Sequence, residues 1–218
     1  MPRRTSKDGA QTREAILRRA ADVASVDGLQ GLTIGTLCAD LGMSKSGLFA
    51  HFGSKEGLQL ATIEAARQRY VEEVLDPARG SPAGIARLHA LCEAFLSYVE
   101  RAVFPGGCFF AAAMAEFDSK APGAVRDRIV ECQEQWMSTL ERAAAQAQAN
   151  GELAPEVDPK QLAFELEAAL LSANWYFHLH ADAGYFERAR RAIRTQLERG
   201  ATAAGVRSLS GEAGGAAH

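Results

Sequence analysis

Between Leu32 and Leu58 the chain reads LTIGTLCADLGMSKSGLFAHFGSKEGL, and no other stretch restricts the fold as much. Ile34, Leu37, Cys38 and Leu41 recur at helical spacing and make one apolar stripe. Thr33, just before them, offers a side-chain oxygen to an orphan N–H of the first turn. Gly42 follows the stripe and can turn left-handed without a Cβ clash. Met43 is expected in the core of that turn. Ser44 caps a second short helix, about Lys45–His51, with Leu48 and Phe52 turned inward. Gly53 breaks it, and Ser54 caps a third helix. A helix, a glycine turn and a short second helix make a helix-turn-helix, whose second helix enters the wide groove of B-DNA. The tip of that helix, Ser44, Lys45, Ser46 and Gly47, is small and polar, as close approach to base edges requires. Free N–H groups at helix N-termini favour phosphate, and Lys55 adds positive charge next to the Ser54 cap.

The run GMSKSGLFAHFGSKEGL resembles the signature of the tetracycline-repressor (TetR) family of bacterial regulators, which ends its recognition helix in Tyr-x-His-Phe and continues with Ser-Lys-Glu-x-Leu. The likeness runs from about Thr12 to Leu58, with Gly42, Ser44, Lys45, Leu48, His51, Phe52, Ser54, Lys55, Glu56 and Leu58 in register. Beyond Leu58 it is one of size and helical content. Phe49 stands where the family often has a Tyr whose hydroxyl touches phosphate, so only stacking or packing remains there. Ala50 replaces a frequent second aromatic, and Cys38 a usual Ala; Cys38 reads as packing. The resemblance implies an all-α fold of about nine helices, a three-helix head followed by a larger helical ligand-binding and dimerisation domain. It also implies a homodimeric repressor, released from a palindromic double-stranded DNA operator by a small molecule. An activator would differ only in promoter geometry. Candidate DNA contacts are Thr33, Ser44, Lys45, Ser46, Gly47, Phe49, His51 and Lys55, with Arg13 from the first helix.

Composition agrees. The 218 residues suffice for one large or two small domains with a real core, and a 47% hydrophobic content is too high for a disordered chain. No apolar run reaches the roughly 18 residues of a membrane span. The basic start MPRRTSKDGA has no apolar segment behind it, so no secretory signal is expected. Cys38, Cys92, Cys108 and Cys132 lie far apart, which argues for reduced thiols in a cytosol; the family resemblance implies a bacterial cytosol, close to the nucleoid. The net charge of −3 disfavours a nucleic-acid partner taken alone. Residues 1–60, however, hold 8 Lys/Arg against 6 Asp/Glu, so the mild positive charge sits with the motif.

In chain order, residues 1–9 are expected as a flexible basic tail; the alternative is an arm on phosphates or a minor groove. The DNA-binding domain is expected over 10–58, with its motif at about 33–52. Its first helix, 10–27, carries the stripe Ile16, Ala20, Val23 and Ala24 and ends at Gly28. A long helix, 54–76, is expected to stop at Asp76-Pro77. Ser81-Pro82 opens a helix running to about Val103, and CFFAAAMAE at 108–116 forms a short apolar one. Helices follow at 124–149, 160–180 behind Asp158-Pro159, and about 185–203. The ligand-binding and dimerisation domain thus spans 59–203, and 204–218 is expected to be disordered. The 160–180 helix is apolar on nearly all sides, so it must be covered on more than one face. The expected dimer packs the last two helices against their two-fold mates through Leu162, Leu166, Ala169, Leu170, Ala173, Ala189, Ile193 and Leu197. It would place two recognition helices about 34–36 Å apart or somewhat wider. The alternative is a core helix of a monomer.

No catalytic or metal constellation emerges, and no cofactor is expected. His178 and His180 are two apart on a helix and point in different directions. His89 and Cys92 lack a third ligand or an orienting carboxylate. Cys108 follows Pro-Gly-Gly at a possible helix start, which would suit a redox sensor or an enzyme with a vestigial head; a small buried hydrophobe is the other reading. The body reads better as a sensor. Phe95, Tyr98, Phe104, Phe109, Phe110, Met114, Phe117, Trp136, Trp175 and His178 are candidates to line an apolar cavity for an aromatic or lipophilic effector. Each is also compatible with plain core.

Overall fold

A computed structural model describes residues 6–211. These residues fold into helices α1 (Ser6–Gly31), α2 (Ile34–Leu41), α3 (Lys45–Phe52), α4 (Lys55–Tyr70), α5 (Asp76–Arg79), α6 (Ile85–Glu100), α7 (Phe109–Phe117), α8 (Ala124–Ala149), α9 (Pro159–His180), α10 (Gly184–Gly200) and α11 (Ala203–Leu209). No strand occurs among the described residues, which bear out the all-α expectation. The nine expected helices are present, and α5 and α11 are additional. Contacts divide the chain into two compact units. One holds the residues up to Arg69 together with Phe104–Cys132; the other holds Tyr70–Val103 and the residues from Gln133 onward.

Several boundaries differ from the sequence reading for physical reasons. The helix expected to stop at Asp76-Pro77 continues to Arg79. Between α4 and α5 the backbone widens into a π-helical turn, Val71–Leu75, which shifts the hydrogen-bond register just before a proline that has no N–H to give. The helix expected from Ser81-Pro82 starts at Ile85 instead. Its cap comes from a residue distant in sequence: a Glu152 carboxylate oxygen accepts from the Ile85 N–H at 3.0 Å. The disordered tail expected from 204 is helical over Ala203–Leu209, with Thr202 capping α11 by accepting from the Gly205 N–H. Ser6–Gly9 belong to α1, and the rest of the expected basic tail, like residues 212–218, lies outside the described residues.

The first unit is built around Ile16, Ala20, Val23, Leu32, Leu37, Leu48 and Leu58, with Ile34, Leu41, Met43 and Phe52 packed against them. This unit is larger than the 10–58 head read from the sequence, because α7 packs on α1. Gly28 breaks α1 with φ 75°. At the break a single carboxylate, Glu116 of α7, accepts from the N–H groups of both Leu29, at 2.6 Å, and Gln30, at 2.7 Å. A Cβ on Gly28 would lie 2.6 Å from that carboxylate, so glycine is required for contact as well as for φ. Nearby, Ser25 Oγ accepts from the Gly106 N–H at 3.0 Å. Arg69 pairs with Asp22 at 3.2 Å and stacks 4.6 Å over the Phe104 ring.

The second unit centres on α6, which buries Ile85, Leu88, Leu91, Cys92, Phe95, Leu96, Tyr98 and Val99. Helix α10 lays Phe186, Ala189, Ile193 and Leu197 inward. Arg190 then reaches from α10 to Glu93 and Glu100 of α6, at 3.1 and 2.8 Å.

The Glu116 bridge makes a specific prediction. Glu116→Ala is expected to lower the unfolding free energy by about 1–3 kcal/mol, because two amides lose a charged acceptor. The midpoint of urea denaturation measures it; an unchanged midpoint would mean that water replaces the carboxylate at no cost.

Candidate nucleic-acid interface

The recognition helix is short, and local sequence holds its two ends. Thr33 caps α2 by accepting from the Thr36 N–H at 3.1 Å. Gly42 takes φ 62° and ends α2, and its N–H returns to the Cys38 carbonyl. Ser44 caps α3 by accepting from the Gly47 N–H at 3.1 Å, and Gly53 closes it. Leu48 is fully buried, which fixes which face of α3 points inward. Lys45, Ser46, Phe49 and Ala50 are all exposed. Lys45 and Phe49, Ser46 and Ala50, and Ser46 and Phe49 are four, four and three residues apart, so they form one outward surface. Phe49 is 49% exposed, so its ring stands on the outward side of α3.

The cations around this face differ in what they are free to do. Lys45 makes no ion pair or hydrogen bond with the described residues. The Arg13 guanidinium lies 5.3 Å over the Phe52 ring, which leaves its N–H edge available. Arg18 and Arg19 are paired with Glu14 and Asp40, and the second of these ties α1 to α2 at 2.7 Å. Lys55 differs from its expected role: its Nζ donates to the Gln30 carbonyl at 2.7 Å, where it holds the end of α1. Ser54 caps α4 by accepting from the Gly57 N–H at 2.9 Å. His51 is half-buried, its ring 6.1 Å from that of Phe52, at the edge of the outward face. A groove lined by Thr12, Ala15, Leu41, Met43, Ser44 and Gly47 runs beside the α3 tip.

The other candidate residues separate by face. Leu162, Leu166, Leu170, Ala173, Ala189, Ile193 and Leu197 are buried within this chain, and Ala169 is half-buried, so the dimer face assigned from the sequence is corrected: these residues form the inner faces of α9 and α10. The outer apolar stripe of α9 is Phe164 (64% exposed), Ala168, the half-buried Leu171, Trp175 (49%) and Leu179 (75%). Its spacing of four, three, four and four residues is that of one helix face. Trp175 therefore belongs to this outer stripe and not to an interior cavity, and His178 is likewise exposed. Of the other proposed pocket residues, Phe95, Tyr98 and Trp136 are buried in the second unit. Phe104, Phe109, Phe110, Met114 and Phe117 belong to the first unit, where the Phe104, Phe109 and Phe110 rings pack 5.9 and 5.2 Å apart. All four cysteines are buried, Cys108 included. Burial pushes the Cys92 and Cys132 thiols above their ordinary range, away from thiolate chemistry. No group of three or more metal-ligating side chains occurs among the described residues. No helix among them is long and apolar enough to cross a membrane.

The family described as bacterial regulatory proteins, tetR family, matches residues 16–62. The tetracyclin repressor-like C-terminal domain matches residues 84–193. No curated protein matches the chain. Among solved structures, a TetR transcriptional regulator from Chloroflexus aurantiacus is 29% identical with a TM-score of 0.83, covering 89% of this chain and 98% of its own. A TetR-family regulator from Cytophaga hutchinsonii is 19% identical with a TM-score of 0.78, covering 92% and 99%. AibR, solved with isovaleryl coenzyme A and operator DNA, is 23% identical with a TM-score of 0.65, covering 83% and 95%.

Because one side-chain bond caps α3, Ser44→Ala is expected to cost about 1 kcal/mol of stability. Thermal unfolding followed by circular dichroism tests this; a variant as stable as the parent would show that the cap contributes nothing.

Proposed function

Since this chain belongs to the TetR family of bacterial transcriptional regulators, which bind DNA, we propose that it is a homodimeric repressor released from a palindromic operator by a small, aromatic or otherwise apolar effector. The observation that carries the reading is the outward face of α3. Lys45 and Ser46 stand at its N-terminal turn, Phe49 and Ala50 one turn later, and no large side chain blocks the approach of the Ser44–Gly47 tip to base edges. Lys45 and the stacked Arg13 supply charge to phosphates on either side.

The outer stripe of α9 supports the homodimer. Its large apolar side chains stand in a continuous row, and a second copy of the same row is a self-complementary partner across a two-fold axis. A dimer presents two α3 tips, which is what a palindrome requires. The aromatic interior of the second unit supports an apolar effector, and the complex of AibR with a coenzyme A thioester and its operator is a related case of one protein holding both. An effector weakens DNA binding only if it binds the released state more tightly than the DNA-bound one.

Two measurements test this. Fluorescence anisotropy on the DNA upstream of the protein's own gene, over a salt series, is expected to show preference over bulk DNA. Lys45→Ala is expected to weaken that binding several-fold and to lower the slope of log K against log salt by about 1. Absence of any sequence preference sinks the repressor reading. Separately, Trp175→Glu is expected to convert the dimer to a monomer in sedimentation and to lower operator affinity by about tenfold or more. A variant that stays dimeric rules out the α9 stripe as the contact.

A further inference from the structure

The side chains of α3 are not equivalent in how they can meet DNA. At about 100° per residue, Ser46 and Ala50 each stand about 160° from the buried Leu48, so they are the two most outward positions of the helix. Phe49 stands about 100° from Leu48 on one flank, and Gly47 about 100° on the other. Lys45 is only about 60° from Leu48, at the edge of the surface, where a long side chain meets the sugar-phosphate wall and not the bases. Ser46, Phe49 and Ala50 are all exposed. Ser46 and Ala50 are short, so a helix lying in the wide groove can bring its backbone close to the base edges at those two positions.

The outward centre of α3 thus offers one hydroxyl beside a methyl group, with a ring on one flank. The helix has no Arg, Asn or Gln to pair by two bonds with guanine or adenine, and no Asp or Glu to accept from cytosine. The hydroxyl belongs to a short chain of hydrogen bonds. Ser44 Oγ accepts from the Gly47 N–H at 3.1 Å, and Ser46 Oγ lies 3.3 Å from Ser44 Oγ. With Ser44 donating to Ser46, the Ser46 proton is left for an acceptor outside the helix, and each bond in such a chain strengthens the next. A Cβ at Gly47 would lie 3.1 Å from Ser44 Oγ, so glycine there protects the start of the chain. Among the four bases, thymine alone presents an acceptor, O4, next to a methyl group in the major groove. Guanine has acceptors and no methyl, adenine an acceptor beside an amino donor, and cytosine an amino donor.

We infer that α3 reads thymine: the Ser46 hydroxyl donates to O4, while Ala50 and the adjoining edge of the Phe49 ring pack on C5-methyl groups. This rests on the reading of α3 as the recognition helix and names what it recognises there. Lys45 stays with the phosphates, where it adds affinity without sequence preference. Each half-site then holds at least one A·T pair where the α3 tip meets the groove, and the thymine methyl carries part of the specificity.

The test starts from the duplex that the full-length protein selects from a random pool. Each thymine of the selected half-site is replaced in turn by uracil, which keeps O4 and removes only the methyl, and binding is followed by fluorescence anisotropy at fixed salt. At least one replacement is expected to weaken binding about fourfold, as the loss of one buried methyl group does. At that position Phe49→Ala is expected to bring the cost of uracil below about twofold. Pairing 5-methylcytosine with guanine at the same position keeps the methyl and puts an amino donor in place of O4. That change is expected to weaken binding about fivefold or more in the unmodified protein and less than about twofold in Ser46→Ala. The uracil series on the unmodified protein depends on no variant. Tolerance of uracil at every thymine, an undiminished uracil cost in Phe49→Ala, or undiminished rejection of 5-methylcytosine in Ser46→Ala would each overturn the assignment. A strongly preferred duplex that is indifferent to uracil removes thymine and leaves the DNA reader, whereas a pool from which no sequence emerges removes the DNA reader itself.

Discussion

An eight-residue helix does not hold itself together in water, because nucleation costs more than two turns of hydrogen bonds return. The α3 helix exists because its ends are capped and its inner face is buried, with Leu48 fully out of solvent and Phe52 packed on the same core. Everything presented to DNA depends on that anchoring. The outward residues need no stability of their own, so they can be small and polar at the tip. Placing the α3 caps on Ser44 and Gly53, outside the helix, frees its interior for recognition. The Arg19–Asp40 pair adds a second constraint by fixing α2, and with it the turn, on α1.

What could be read from the sequence follows the range of the interactions. Thr33, Ser44, Ser54 and Asp158 each cap within three residues, and glycine turns and apolar periodicity act within a few more, so those elements appear where the residue pattern puts them. The interactions that were not legible span the chain. Glu116 binds backbone more than eighty residues away, and Glu152 caps Ile85 from 67 residues further along the chain. No local pattern distinguishes those glutamates from solvated ones. For the same reason α6 starts three residues after its expected cap-and-proline signal: Glu152 supplies a better acceptor than Ser81. The π-helical turn before Pro77 was invisible too, since widening a helix leaves no compositional trace.

The α9 helix shows a subtler limit. Its sequence is apolar almost all round, which correctly implies that more than one face must be covered. It does not say which face meets which partner. That is decided by α10, whose single apolar stripe can bury only one side of α9, and by α6 and α8 behind it. Leu162, Leu166 and Leu170 are consumed there, and Phe164, Trp175 and Leu179 are left outward. On the inner side leucines and alanines fill the core, while two rings and Leu179 are the most exposed members of the outer row. Periodicity alone ranks both rows equally.

Three glutamates make the closing point about charge. Glu116 and Glu152 are partly exposed, and each satisfies amide donors at a helix end, a role in which a carboxylate costs little to desolvate. Among the described residues Glu167 satisfies no backbone group and meets no positive charge, and it sits deeper than either. An asparagine or glutamine would accept the Trp136 and Gln133 hydrogen bonds as well and would spare the fold the desolvation of an anion. Structure alone therefore accounts for the first two carboxylates and not for the third.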